Sequence, residues 1–86
     1  MNRAEAWRRV DGSEDLDFET LDEIFRAFGF LVESPNFETE VYYHPAFRCG
    51  AYTARDDGLH LVTPGQRSLV RRMLRCVEAF EKARST

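Results

Sequence analysis

The stretch NFETEVYYHPAFRCG, residues 36–50, gathers most of the side chains in this chain that could do chemistry. His44 carries an imidazole that can exchange a proton near neutral pH, and Glu38, Glu40, Tyr42, Tyr43, Arg48 and Cys49 stand around it. Together these types could cleave a phosphodiester, which needs a base for the attacking hydroxyl and an acid or cation for the leaving oxygen. Spacing argues against a ready-made pair. If residues 39–44 form a strand, Thr39, Val41 and Tyr43 share one face and Glu40, Tyr42 and His44 the other. Glu40 and His44 are then roughly 13 Å apart, too far for an acid/base dyad. His60 alternates with Leu59 and Leu61 and has no neighbouring acid. Tyr42 and Tyr43 could stack on the bases of an RNA, as aromatics on a sheet do, or pack across strands.

A second candidate is cationic. Near the C-terminus Arg67, Arg71 and Arg75 recur every four residues, which on a helix puts them within about 80° of one another. Such a ridge would suit an acidic protein surface or a phosphate backbone. Charge is divided along the chain. Residues 11–40 hold ten acids against Arg26 alone, a local balance of −9, whereas residues 60–86 hold six basic side chains against Glu78 and Glu81. The whole chain carries −3 with a pI near 5.3. Cys49 and Cys76 are the only cysteines, and no Cys/His cluster has zinc-ligand spacing, so no metal site and no cofactor motif is expected. The two thiols are read as reduced and unrelated.

The elements that must position these residues follow from periodicity. Phe18, Leu21, Ile24, Phe25 and Phe28 recur three and four apart and line one helix face. Asp17 is its expected N-cap, with Glu19, Asp22 and Glu23 near the positive end of the helix dipole, and Gly29 is its stop. FLVE then reads as a strand and Pro35-Asn36 as a turn. Residues 39–44 form a second strand that Pro45 ends, and CGAYTAR forms a third, followed by a turn and an extended LHLV that could pair with it. Thr63-Pro64 opens a last helix, whose stripe of Leu69, Val70, Met73, Leu74, Val77 and Phe80 packs on the sheet. Phe25, Phe28, Leu69, Met73, Val77 and Phe80 are expected in one core.

This is a small α+β single domain in the order α-β-β-β-α, an antiparallel sheet packed against two helices, spanning residues 17–83. Residues 1–16 are left as a flank and 84–86 as a tail. With 86 residues the chain should bury only about 60% of its unfolded surface, enough for one core. A hydrophobic share of 43% with seven phenylalanines excludes a disordered chain. No apolar run reaches the roughly 20 residues of a membrane helix, and the first residues lack the apolar centre of a signal peptide, so a cytoplasmic location is expected.

In order and spacing, LDEIFRAFGFLVE, VYYHP and TPGQRSLVRRMLRCVEAF resemble the HicA toxins of bacterial toxin-antitoxin pairs, small ribonucleases with a fold similar to the double-stranded RNA-binding domain. The resemblance rests on Gly29-Phe30 ending a helix, on Tyr42, His44 and Pro45, and on Pro64-Gly65 opening a helix rich in Arg and Leu. In that family the second strand opens with Gly-Ser-His-His, whose first histidine is taken as catalytic. Here those four positions are Phe37-Glu38-Thr39-Glu40, so Thr39 occupies the catalytic slot. A threonine without an activating base cannot replace imidazole, and Glu38 and Glu40 would repel phosphate. Those toxins are also generally basic.

The reading that follows is a non-enzymatic binding module on a HicA-like scaffold. It engages a protein partner, or less favourably RNA, through charged helix faces, with Arg67, Arg71, Arg75, Tyr42 and Tyr43 as the binding candidates and no catalytic residue. The alternative is a divergent ribonuclease using His44 or His60.

Overall fold

A computed structural model describes residues 1–55 and 61–85. Its elements are α1 (Arg3–Asp11), α2 (Phe18–Ala27), β1 (Leu31–Asn36), β2 (Thr39–Tyr43), β3 (Ala51–Arg55) and α3 (Pro64–Ser85). The strands form one antiparallel sheet in the order β1-β2-β3, with Val32, Tyr42 and Tyr52 in one cross-strand row and Leu31, Tyr43 and Ala51 in another. The α+β class expected from the sequence is the class observed.

α2 is bounded by the residues that periodicity assigned. The Asp17 carboxylate accepts from the Thr20 amide at 2.7 Å, and that bond holds its pKa below the usual carboxyl value. At the other end Gly29 adopts φ +83°, the Phe30 amide donates to the Phe25 carbonyl, and the Gly29 amide donates to that of Arg26. This is the Schellman arrangement, which a glycine permits without steric cost. α3 opens on a reciprocal cap: the Gln66 amide donates to Thr63 Oγ1 at 3.2 Å, and the Thr63 amide to Gln66 Oε1 at 2.8 Å.

Between those stops Phe25 is fully buried and stacks on Tyr42 at 4.7 Å, with Phe30 and Tyr52 at 4.9 and 5.4 Å. Tyr42 and Tyr52 therefore mark the core face of the sheet. The opposite face is open, with Leu31 and Thr53 exposed and Val41 and Tyr43 half-buried. The alternation read for residues 39–43 is thus present, and it places Tyr42 inside. The Tyr52 hydroxyl is buried without a hydrogen-bond partner among the described residues, although hydroxyls in this situation usually find one.

The structure departs from the sequence reading in four places. Residues 3–11, left in the flank, form a helix capped by the Asn2 side chain, with Ala6 and Val10 completely buried. β1 continues through Pro35 to Asn36, because an edge strand with an irregular register tolerates a residue without an amide hydrogen. The turn is instead Phe37-Glu38, held by Asn36 Oδ1 accepting from the Glu38 amide at 2.9 Å. Of LHLV, Leu59 and His60 lie outside the described residues, while Leu61 bridges to Asp17 and the Val62 amide donates to the Leu16 carbonyl at 2.7 Å. At Leu61 and Val62 the chain thus pairs with the residues that lead into α2. α3 runs to Ser85, past the point where a tail was expected.

The core is shifted as well. Phe25, Phe28, Met73 and Val77 join it as expected, but Leu69 and Phe80 are 37% and 44% exposed. The buried stripe of α3 is Val70, Met73, Leu74 and Val77, and Leu69 and Phe80 stand roughly 80° to one side of its centre. Phe28 meets the edge of Trp7 at 5.7 Å and lies beneath the Arg3 guanidinium at 4.8 Å. Phe28→Ala should therefore cost about 3–5 kcal/mol, as buried aromatic truncations do, while Leu69→Ala should cost less than about 1. Chemical denaturation of both variants beside the wild type checks this, and equal costs would contradict the placement of α3.

Candidate functional site

The structure commits His44 to packing. The ring is half-buried, with the edge of Phe30 at 5.4 Å and the face of Phe47 at 4.7 Å. Nδ1 accepts from the Ala46 amide at 3.0 Å, which leaves the neutral ring's proton on Nε2. Nε2 in turn sits 3.2 Å from the point where a side chain on Gly29 would begin. Both nitrogens are thus turned toward the chain itself. Thr39, at the slot of the resembled family's catalytic histidine, pairs with Asn36 and Arg55 at the far end of β2 and faces the opposite side of the sheet from His44. His60 lies outside the described residues. Among the described residues no group of three or more His, Cys, Asp or Glu side chains could hold a metal ion.

The arginine ridge divides. Arg67 donates to the carbonyls of Gly12 and Glu14, and Arg71 bonds Asp11 at 2.7 Å and the Val10 carbonyl at 3.3 Å. Free carbonyls and the negative dipole end of α1 attract exactly such cations, and the donor forks of arginine can hold two of them. Further along, Trp7 Nε1 donates to Glu78, and Arg3 forms a two-point pair with Glu81. Positions 67, 71, 78 and 81 lie on one flank of α3, so α1 runs antiparallel to it along a polar ladder. Arg75 alone of the three faces solvent, beside Arg72 and Lys82, all unpaired among the described residues. The other two binding candidates also differ in exposure. Tyr42 is 1% exposed and stacked on Phe25, closed to a ligand, whereas Tyr43 is half-buried on the open sheet face and donates to Glu33 at 3.3 Å.

A feature that the sequence reading passed over stands at the β1–β2 turn. Phe37 is fully exposed, at 110% of its reference surface. It forms one wall of an open cleft of about 460 Å³ that also takes in Phe18, Glu19, Asp22, Glu38 and Glu40. Four carboxylates thus line the cleft, against Arg26 and Arg55. Arg26 pairs with Asp22 at 2.8 Å along α2. From below, the Tyr42 hydroxyl lies 2.7 Å from Asp22 Oδ1 and 2.9 Å from Glu40 Oε2. One hydroxyl has one proton, so it satisfies only one of these carboxylates at a time. Burial first, and then the two carboxylates, hold the Tyr42 phenol above its ordinary range and keep it a donor. Asn36 before a phenylalanine flanked by strands was the available sign of this turn, hidden by the assignment of the turn to Pro35-Asn36.

The fold and this surface define a small α+β domain with an aromatic tip over an acidic cleft. No protein-family model, curated protein or solved structure matches the chain.

Two outcomes follow from the α1–α3 ladder. Arg67→Ala should destabilise the chain by about 1.5–3 kcal/mol, the range for hydrogen bonds to a charged group, and should raise amide exchange in α1 before the sheet; exchange that rises evenly everywhere would contradict it. The Arg3 guanidinium bonded to Glu81 holds that carboxyl below its ordinary value. A depressed folded-state pKa contributes stability above the ordinary glutamate range, and the contribution is lost as pH falls through the depressed value. The melting difference between wild type and Glu81→Gln should therefore be present near neutral pH and close on acidification. A difference that grew toward low pH would have the wrong sign.

Proposed function

We propose that the chain is a non-enzymatic binding module on a HicA-like scaffold, working in the cytoplasm, and that it grips a protein partner through the acidic face of α2 and the Phe37 tip. The observation that carries this reading is the fully exposed Phe37 beside four carboxylates. A phenylalanine in water at a turn tip forgoes about 1.5–3 kcal/mol of burial, which a partner's pocket would recover. The carboxylates around it favour a partner with a basic surface and disfavour nucleic acid at this face. The α-β-β-β-α order of α2 through α3 supports the scaffold, and the enclosed His44 with Thr39 on the other side of the sheet supports the absence of cleavage chemistry.

RNA remains the partner for which the cationic face of Arg72, Arg75 and Lys82 on α3 is suited. The two faces are separable by experiment. A partner retained on the immobilised chain should bind about ten- to a hundredfold more weakly to Phe37→Ala, and more weakly to wild type as salt rises, while Arg72→Glu with Arg75→Glu leaves affinity unchanged. The purified chain should not cleave structured or unstructured RNA, and His44→Ala should not alter that. Full affinity in Phe37→Ala, or RNA cleavage lost on removing His44, would overturn the reading.

A further inference from the structure

Cys49 and Cys76 stand 27 positions apart in the chain, and nothing in their spacing links them. The fold does. After Phe47 the connector between β2 and β3 doubles back, with the Cys49 amide donating to the Phe47 carbonyl at 3.1 Å and Gly50 taking φ +84°. Two contacts then pin the connector to the middle of α3. Phe47 stacks on Phe80 at 5.6 Å with nearly parallel rings, and Cys76 Sγ lies 4.0 Å from the Arg48 carbonyl. Cys49, buried at the foot of this turn, directly follows the carbonyl that Cys76 Sγ contacts, which brings the two thiols side by side. Both sulfurs are free, and Cys76 is the more accessible.

The geometry points to Cys49 and Cys76 as a reversible thiol–disulfide couple, oxidised by hydroperoxides, that fastens the connector to α3. It is independent of the binding function proposed above. The half-exposed Cys76 is the sulfur a peroxide reaches. As the thiolate it attacks one peroxide oxygen: the S–O bond forms, the O–O bond breaks, the other oxygen leaves as water or an alcohol, and Cys76 becomes a sulfenic acid. Cys49 then attacks Cys76 Sγ, so that the S–S bond forms and the S–O bond breaks. The departing oxygen takes the Cys49 proton and leaves as water. Across both steps two thiols lose two electrons and two protons, and one peroxide is reduced. Burial first, and then the nearby Cys76, push the Cys49 thiol up to about 12, which makes it the poorer nucleophile toward peroxide and leaves the first step to Cys76. Dithiols reverse the couple by exchange.

Intact-mass measurement on the purified full chain, titrated with hydrogen peroxide, tests this directly. The wild type should lose two hydrogen masses, stay monomeric, melt at a higher temperature and regain its mass with dithiothreitol. Cys49→Ser should stop with one added oxygen that a sulfenic-acid probe captures, and Cys76→Ser should stay unmodified at peroxide levels that convert the wild type. Wild type that instead accumulates added oxygens, or joins into dimers through its cysteines without the internal mass loss, would overturn the couple whether or not either serine variant folds.

Discussion

The ring of Phe25 is the contact on which the rest of the molecule depends. Stacked on Tyr42 and flanked by Phe30 and Tyr52, it joins α2 to two strands of the sheet and to the residue that leads into the first. Offset and tilted aromatic contacts of this kind prefer particular geometries and add to the area they bury. They therefore fix α2's rotation as well as its proximity. With Phe25 turned inward, Asp22, three residues earlier, comes to lie over the Tyr42 hydroxyl, and Glu19 lines the cleft one further turn back. The acidic cleft is thus the outer consequence of an inner aromatic junction, and Tyr42 belongs to both, its ring in the core and its hydroxyl beneath the carboxylates.

The caps and stripes that build this junction were legible because they are local. Asp17, Gly29, Thr63 and the apolar spacing of α2 each act within a turn or two of chain, where side-chain chemistry and backbone preference agree. What escaped reading depends on partners distant in sequence. α1 has few apolar positions, Ala4, Ala6, Trp7 and Val10, and is held by burial of Ala6 and Val10, by Trp7 against Phe28, and by the cations and carboxylates that α3 supplies. Isolated helices of nine residues are marginal, so tertiary contacts, the polar ladder among them, decide. The same ladder explains why the arginine ridge divides. Helical spacing shows that Arg67 and Arg71 share a face; it does not show that another helix lies against that face.

Withdrawing those two arginines into the fold changes the electrostatic picture. Their charge answers the dipole end of α1 and Asp11. What α3 still offers to solvent is a narrower cationic strip, Arg72, Arg75 and Lys82, on the side away from its buried stripe. A chain with net charge near zero in its two halves would associate by indiscriminate contact. This one presents an acidic and a basic surface, and the most exposed aromatic among the described residues, Phe37, stands on the acidic one.

β2 separates the two chemically distinctive regions. One end of its five residues leads back to the Phe37 turn, and the other leads through His44 into the connector that carries Phe47 and Cys49. A strand of that length spans roughly 17 Å, and its interior is paired on both sides, so the ends are mechanically separate. His44 illustrates the division. Held between Phe30 and Phe47, with Nδ1 spent on the Ala46 amide, it carries the packing of the helix stop at Gly29 into the aromatic stack that reaches Phe80. The histidine that first suggested chemistry thus also braces α2 against the thiol-bearing connector.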